Sequence, residues 1–248
     1  MTQARASLRE PLLAFAVATA LGAAFGLIGT FVPLVHKYLA LLIAIVFFQT
    51  PIIAAGRAGR DIDYRDLGLR ADPIGLNLKV LGVLVLLTLP VFVLAFVPFY
   101  DRVCAIPSGT IAHMFAGICP NWLGHTRGQL RLPDGFALNA ATQVIVVAIP
   151  EELFFRGYLQ ERLEQVWPPT RNVLGAKVGW ALVVSSALFA LSHVAVIPNP
   201  LRLAVFFPAL LFGWMRARTG SIASAALFHA LCNLTASVME ASYFLNYR

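Results

Sequence analysis

The chain has 248 residues, of which 59% are hydrophobic and 12% are charged, and its mean hydropathy is +0.76. Soluble domains average about 45–50% apolar and about 25% charged residues, so this composition excludes an ordinary soluble enzyme and a disordered chain. With three cysteines the chain is also no disulfide-framework miniprotein. We attribute the net charge of +7 to loops that orient membrane helices, and we expect no nucleic-acid partner.

Stretches without Asp, Glu, Lys or Arg predict the membrane spans, each of which needs about 20 apolar residues. These stretches cover residues 11–35, 38–56, 80–100, 103–126, 135–150, 178–201, 203–215 and 219–239. The fourth is broken by Pro107, Gly109 and Pro120 and is interpreted as a loop or a re-entrant piece. The fifth continues through Glu151 into further apolar residues. The sequence therefore predicts an all-α polytopic transmembrane bundle of about seven spans, with eight as the alternative.

Basic residues predict the orientation, because cytoplasmic loops of membrane proteins are enriched in Lys and Arg. Seven spans with a cytoplasmic N-terminus, which carries Arg5 and Arg9, place most of the 19 basic residues inside. Segment 57–79 mixes both signs of charge and is interpreted as a cytoplasmic loop at the membrane surface. Arginine outnumbers lysine, as is common in GC-rich bacteria, so we expect a bacterial cytoplasmic (inner) membrane.

The first polar cluster is the sequence EELFFRG at residues 151–157. Ionisable side chains inside hydrocarbon are costly and mark a functional site by default. Glu152 and Arg156 are four residues apart, in the favourable order for an ion pair, whereas Glu151 points about 100° away. An unpaired carboxylate in an apolar setting accepts a proton readily, so Glu151 is the candidate general base. The alternative is an ion pair that only fixes helix packing.

Two later helices carry further polar residues. Phe189 and His193 share one helix face, and so do His229 and Asn233. Together these groups can hold a water from which Glu151 takes a proton while His193 orients it. His229 and Asn233 would stabilise an oxyanion, so the chemistry that fits is amide hydrolysis. If each helix ends at its nearest charged residue, Glu151 lies nearer the cytoplasm and His193 nearer the outside. For the two side chains to meet, at least one helix must be tilted or shifted, or must begin later than the charges indicate.

The three motifs resemble the CPBP family of intramembrane proteases, also called the Abi family, of the CAAX prenyl endopeptidase and bacteriocin-processing type. The matching segments are EELFFR at 151–156, FALSH at 189–193 and HALCN at 229–233. EExxxR alone is a weak signal, but all three motifs in order are specific. The resemblance covers roughly residues 135–240. We therefore divide the chain into membrane helices with their loops, 1–134, and a catalytic helical core, 135–248.

The resemblance implies a glutamate-dependent endopeptidase that acts on a membrane-associated protein or peptide. Its site residues would be Glu151, His193, His229 and Asn233, supported by Glu152, Arg156 and Phe189. It implies no cofactor, although a Glu and two His could bind zinc with one position open. The zinc-protease motif HExxH is absent from the sequence. The substrate is open between a prenylated CAAX tail, a sorting signal and a bacteriocin-type peptide.

Two other classes of protein are alternatives to a protease. One is a non-catalytic membrane protein, chaperone-like or binding, that keeps these polar residues for helix packing. The other is a proton-coupled transporter, although transporters usually show repeats with broken helices in both halves. Here the intramembrane ionisable groups lie in the C-terminal half, which favours an enzyme with an N-terminal scaffold.

Cys104 and Cys119 lie in the loop that this topology places outside. A disulfide between them would close a loop of about 15 residues and would require an oxidising compartment such as the periplasm. Two free thiols are the alternative.

Overall fold

The structure is a computed structural model that describes residues 7–125 and 128–245. Arg5, which entered the orientation argument, lies outside the described residues. Residues 1–6 and 126–127 of the segment 1–134, and residues 246–248 of the segment 135–248, also lie outside the described residues.

Seven helices of 14 or more residues account for most of the part of the chain that is described. They are α1 Arg9–Gly29, α2 Leu39–Arg57, α3 Ile74–Cys104, α4 Phe136–Val166, α5 Trp180–Val196, α6 Phe206–Thr219 and α7 Ala223–Tyr243. Shorter helical pieces cover Pro33–Lys37, Thr110–Phe115, Cys119–Asn121 and Pro200–Val205. Each long helix coincides with one uncharged stretch of the sequence, because an apolar segment can satisfy its backbone groups internally only as a helix.

Five helices in the described ranges are long and apolar enough to cross a membrane: α1, α2, α3, α4, and α6 together with the preceding turn as Pro200–Thr219. Helix α5 is apolar but has only 17 residues. Helix α7 has 21 residues, but its polar side chains, including His229 and Asn233, lower its mean hydropathy. The prediction of an all-α membrane helix bundle is confirmed. The orientation of the bundle stays a prediction.

The segment between α3 and α4 is a loop, as its prolines and glycine predicted. Cys104, the last residue of α3, forms a disulfide with Cys119, with a Cα–Cα distance of 5.3 Å. Trp122 then pairs with Phe244 in an isolated β-bridge, and its indole nitrogen donates a hydrogen bond of 2.9 Å to Asp101. The loop therefore ties the C-terminal end of α3 to the C-terminal end of α7.

The segment 57–79 is not a loop throughout, because α3 begins at Ile74, and the loop before it packs against the bundle. Its position at the membrane surface stays a prediction. Leu67 is 4% exposed, and the Gly68 carbonyl accepts a hydrogen bond of 2.9 Å from the backbone of Ile222. A Cβ on Gly157 of α4 would lie 2.2 Å from the Leu67 carbonyl oxygen. The charged residues of this loop face outward while its apolar residues enter the bundle, because burying Leu67 releases apolar surface from water.

Helix α4 is the centre of the core. Every residue of its Leu153–Gln160 segment is buried, and this segment packs against α1, α2, α5 and α6. One apolar cluster includes Ala18 and Phe47 from the N-terminal half and Phe155 and Phe189 from the C-terminal half. Helix α3, by contrast, packs mainly on α7 and leaves side chains such as Leu94 exposed, as expected of a lipid-facing helix.

Two short strands depart from a wholly helical chain. Strands β1 Arg171–Val173 and β2 Ala176–Val178 form an antiparallel hairpin between α4 and α5. Its turn places Leu174 at φ 49° and Gly175 at φ 80°. The hairpin leaves the fold class unchanged because each strand has only three residues.

Candidate active site

Three helices bring the predicted site residues together in the interior of the bundle. Glu151 and Glu152 lie in a four-residue α-helical stretch of α4, between π-helical segments Gln143–Ala148 and Leu153–Gln160. His193 lies in the last turn of α5, and His229 lies in the first half of α7. π-Helical turns are rare and occur frequently at functional sites.

Glu152 and Arg156 form the predicted ion pair, with a distance of 3.1 Å between Arg156 Nη1 and Glu152 Oε1. Their side chains are 0% and 1% exposed. His229 joins them, since its Nδ1 lies 2.9 Å from the same Glu152 oxygen. Because removing one member of such a buried set leaves an unpaired charge, these three residues depend on one another for stability.

Arg156 is held on its other sides by aromatic rings and a carbonyl. The centre of its guanidinium lies 4.3 Å from the Phe189 ring centroid and 5.1 Å from that of Phe212. Its Nη2 donates a hydrogen bond of 3.3 Å to the Ala209 carbonyl. Phe212 also stacks on the His229 ring at 4.8 Å. Cation–π contacts and this hydrogen bond compensate part of the cost of burying the charge.

Glu151 faces the two histidines instead of Arg156. Its Oε2 lies 3.9 Å from His193 Nε2 and 3.8 Å from His229 Nε2. That oxygen is buried and accepts no hydrogen bond from any described residue. Separations of this size are too long for direct hydrogen bonds, yet one water can reach all three atoms. The two neighbouring carboxylates therefore occupy different environments, as their angular separation predicted.

In both histidines the contact made by Nδ1 determines which ring nitrogen carries the hydrogen. His193 Nδ1 lies 3.0 Å from the Phe189 carbonyl, which can only accept a hydrogen bond. His229 Nδ1 lies against the Glu152 carboxylate, which likewise accepts. Both Nδ1 atoms therefore carry hydrogen, and in the neutral rings both Nε2 atoms are acceptors directed towards Glu151. Phe189 thus orients His193 through its carbonyl as well as through its ring, whose centroid is 4.4 Å away.

Asn233 is not within hydrogen-bond distance of this group. Its Nδ2 donates a hydrogen bond of 2.9 Å to Gln143 Oε1 on α4. Gln143 was not among the expected site residues, although it is a polar side chain within a largely apolar stretch eight positions before Glu151. Its polar side chain, about two helical turns before Glu151, was the available signal.

A cavity of about 180 Å³ opens beside Glu151 and His193. Its walls are mostly apolar and come from α2, α4 and α5, and include Ile43, Phe47 and Val147. A single buried water needs only about 10–15 Å³ by the same kind of measure, so water and part of a substrate fit. Arg202 also lines the cavity. Arg202 was not among the predicted site residues, because one charge between two uncharged stretches is typical of a loop.

Within residues 7–125 and 128–245, no group of three or more His, Cys, Asp and Glu side chains is arranged to hold a metal ion. What the arrangement does provide is a carboxylate and two imidazole nitrogens around one point, backed by a buried carboxylate–guanidinium pair. Such a set can accept, orient and return protons of a bound water.

Comparison with known protein families gives one match. Residues 133–235 match the family described as Rce1-like, type II CAAX prenyl endopeptidase Rce1-like. This match confirms the resemblance drawn from the three motifs, all of which lie inside it. The family is described as an endopeptidase family, so the match supports a peptidase in general. No curated protein and no solved structure matches the chain.

Proposed function

We propose that this chain, a membrane protein whose residues 133–235 are Rce1-like, is an intramembrane endopeptidase that hydrolyses a peptide bond with a water activated by Glu151. The observation that carries the proposal is the position of the Glu151 Oε2 atom. It lies within 3.9 Å of the Nε2 atoms of both His193 and His229 and has no hydrogen-bond partner of its own among the described residues.

In the proposed reaction Glu151 accepts a proton from the water, and the oxygen of the water bonds to the substrate carbonyl carbon. The carbonyl oxygen becomes an oxyanion, and the proton then passes to the leaving nitrogen as the C–N bond breaks. Glu151 ends the cycle as a carboxylate, so protons and charges balance. His193 orients the water through Nε2. General-base catalysis of this kind contributes about 10²–10⁴-fold.

His229 has the second role in the proposal. Glu152 holds its Nδ1, so an imidazolium that forms at His229 is stabilised in the same way as in other carboxylate–imidazole pairs. The proton that Glu151 takes from the water can pass to this Nε2, which then donates to the oxyanion until the proton moves on to the leaving nitrogen. Asn233 gives one amide hydrogen to Gln143 and keeps a second, which makes it a further candidate donor. Arg156 acts indirectly because it fixes Glu152.

We further propose that the reaction needs no metal or other cofactor and takes place in a bacterial cytoplasmic membrane. The substrate is a membrane-associated protein or peptide: a prenylated CAAX tail, a sorting signal or a bacteriocin-type peptide. The apolar walls of the cavity beside Glu151 support a substrate that presents apolar side chains.

The test is proteolysis by the purified protein in lipid nanodiscs, with cleavage of a mixed peptide library followed by mass spectrometry. We expect Glu151→Gln to lose at least about 10²-fold in activity while folding normally, because the change removes the base and keeps the shape. Glu164→Gln is the matched control, since Glu164 lies on the same helix but accepts its hydrogen bond from Gln160. Chelators should leave wild-type activity unchanged.

Undiminished cleavage by a well-folded Glu151→Gln protein would contradict the mechanism. A chain that binds peptides without cutting them would instead be the chaperone-like alternative. Proton-coupled uptake into sealed vesicles would identify a transporter.

A further inference from the structure

Arg202 places a cation in the cavity beside the proposed base. It lines the same space as Glu151 and His193. Its charge interacts with those of Glu151 and Glu240, but no described residue forms a hydrogen bond or close ion pair with its guanidinium. Its exposure is intermediate, so the side chain is partly removed from water. A charged side chain in a membrane protein is costly when unpaired and normally has a functional partner.

The backbone around Arg202 is ordered. Asn199 caps the Pro200–Val205 turn, because its side-chain oxygen accepts a hydrogen bond of 3.0 Å from the Leu201 amide. The Arg202 amide donates a hydrogen bond of 3.0 Å back to the Asn199 carbonyl. The turn therefore fixes the origin of the Arg202 side chain at one edge of the cavity, which limits the entropy lost when the side chain binds something.

The charges that line the cavity determine which ligand Arg202 can bind. Glu151 repels an anion that approaches through the apolar walls, and among the described lining residues Arg202 is the permanently charged cation that can offset this repulsion. A guanidinium forms two parallel hydrogen bonds with a carboxylate, a geometry that lysine cannot match.

From this arrangement we infer that Arg202 is a specificity-determining residue that binds a carboxylate of the substrate, beside an apolar side chain seated against Ile43 and Val147. The carboxylate comes either from the C-terminus of the substrate or from an acidic side chain. The inference rests on the proposed function, because it requires that the cavity receives a peptide.

The test measures peptide binding, so it does not depend on catalysis. The probes are acetyl-Leu-Leu as the free acid and as the amide, and acetyl-Leu-Glu-amide with acetyl-Leu-Gln-amide. Dissociation constants are measured by calorimetry on the protein in nanodiscs. We expect the wild type to prefer one or both acids over the matching neutral peptides by about tenfold to a hundredfold, as for hydrogen bonds to charged groups. The first pair reports a C-terminal carboxylate, and the second an acidic side chain.

We expect Arg202→Gln to remove this preference and leave binding of the neutral peptides unchanged. Arg202→Lys should keep part of it, because it retains the charge without the paired hydrogen bonds. Arg102→Gln, at an exposed position of α3, is the control and should bind as the wild type does. Equal affinity of the wild type for acids and amides, or no binding of any probe, would overturn the inference. An equal loss for acids and amides in Arg202→Gln would also overturn it, because Arg202 would then act only as a counter-charge to Glu151.

The two proposals fail separately. Loss of the acid preference with intact, Glu151-dependent cleavage removes only the role of Arg202. Acid-selective binding without cleavage removes only the peptidase.

Discussion

Two adjacent glutamates have separate environments because the helix turns between them. Glu152 is fully buried and shared by Arg156 and His229, whereas Glu151 is 14% exposed and faces the cavity. Its two partners therefore hold Glu152 in place, whereas the Glu151 Oε2 atom has no hydrogen-bond partner among the described residues and is directed towards the two histidines. The proposed division into a base and a support rests on this difference in partners.

Arg156→Ala tests the supporting set. The change leaves the Glu152 carboxylate buried beside His229 alone, and we expect a loss of about 3–5 kcal/mol in the free energy of unfolding. Arg216→Ala is the matched control, because it breaks an ion pair with Glu161 whose side chains are 17% and 42% exposed. Such pairs are worth about 0–1 kcal/mol. Equal stability losses, measured by thermal unfolding in detergent, would show that burial does not set the strength of the Glu152–Arg156 pair.

Gln143→Leu tests whether Asn233 has to be held in place. Without the Gln143 oxygen the Asn233 amide loses its acceptor and can rotate, so we expect kcat to fall roughly tenfold or more with little change in KM. Gln143→Glu keeps an acceptor oxygen and should restore most of the rate. A change in KM alone would place Gln143 in substrate binding instead.

The sequence predicted the pairs of site residues that lie four positions apart on the same helix. Glu152 with Arg156, and Phe189 with His193, follow directly from helical spacing. Gln143 and Arg202 lie outside the three motifs, and their role depends on which helix packs against which. That packing cannot be read from spacing along a single helix.

At the scale of elements, α4 departs most from a regular helix. Its π-helical segments flank the glutamates and alter the direction of the side chains on either side. Gly157 lies in the second segment, where the loop around Leu67 reaches the helix backbone. The sequence predicted a long α4 because apolar residues continue past its charges. It did not predict the π-helical turns, because the apolar pattern does not distinguish them from a regular helix.

Gly157→Ala tests the contact between this loop and α4. The added Cβ would lie 2.2 Å from a backbone oxygen, so the loop or the helix must move, and we expect a loss of about 1–3 kcal/mol in stability. Gly82→Ala is the matched helical control, because no atom lies within 4 Å of its Cβ position. That variant should be neutral or slightly stabilising, since alanine favours helix. A Gly157→Ala protein as stable as Gly82→Ala would show that the loop does not pack there.

Charges did not predict the ends of the helices. Lys79 and Asp101 bracket 21 uncharged residues of α3, which span about 32 Å and match a hydrocarbon core of about 30 Å, but α3 itself runs past both charges from Ile74 to Cys104. Helix α5, by contrast, begins at Trp180 and ends at Val196, before the uncharged stretch does. The hairpin that precedes it was missed because strands of three residues show no usable alternation.

For the whole molecule the disulfide and the orientation make one joint prediction. A bond between Cys104 and Cys119 forms on the oxidising side of a membrane, which would place Thr170, beyond α4, on the opposite side. In a background without the three native cysteines, Thr170→Cys should react with a membrane-impermeant thiol reagent only after the cells are opened. The same reagent should label Cys104 from outside when Cys119 alone is replaced. Labelling of position 170 in intact cells would require a different number of spans between the two sites.

The length of helix α5 affects how water could reach the proposed site from within an apolar membrane. Its 17 residues extend only about 26 Å, less than the roughly 30 Å of a typical hydrocarbon core. A short span draws the two lipid surfaces together around it, at a cost of fractions of a kcal/mol per Å. His193 lies in the last turn of this helix, close to its C-terminal end. Under the proposed function, the shortness of α5 would bring bulk water closer to the cavity, and the thickness of the host bilayer would affect how fast the water consumed by hydrolysis is replaced.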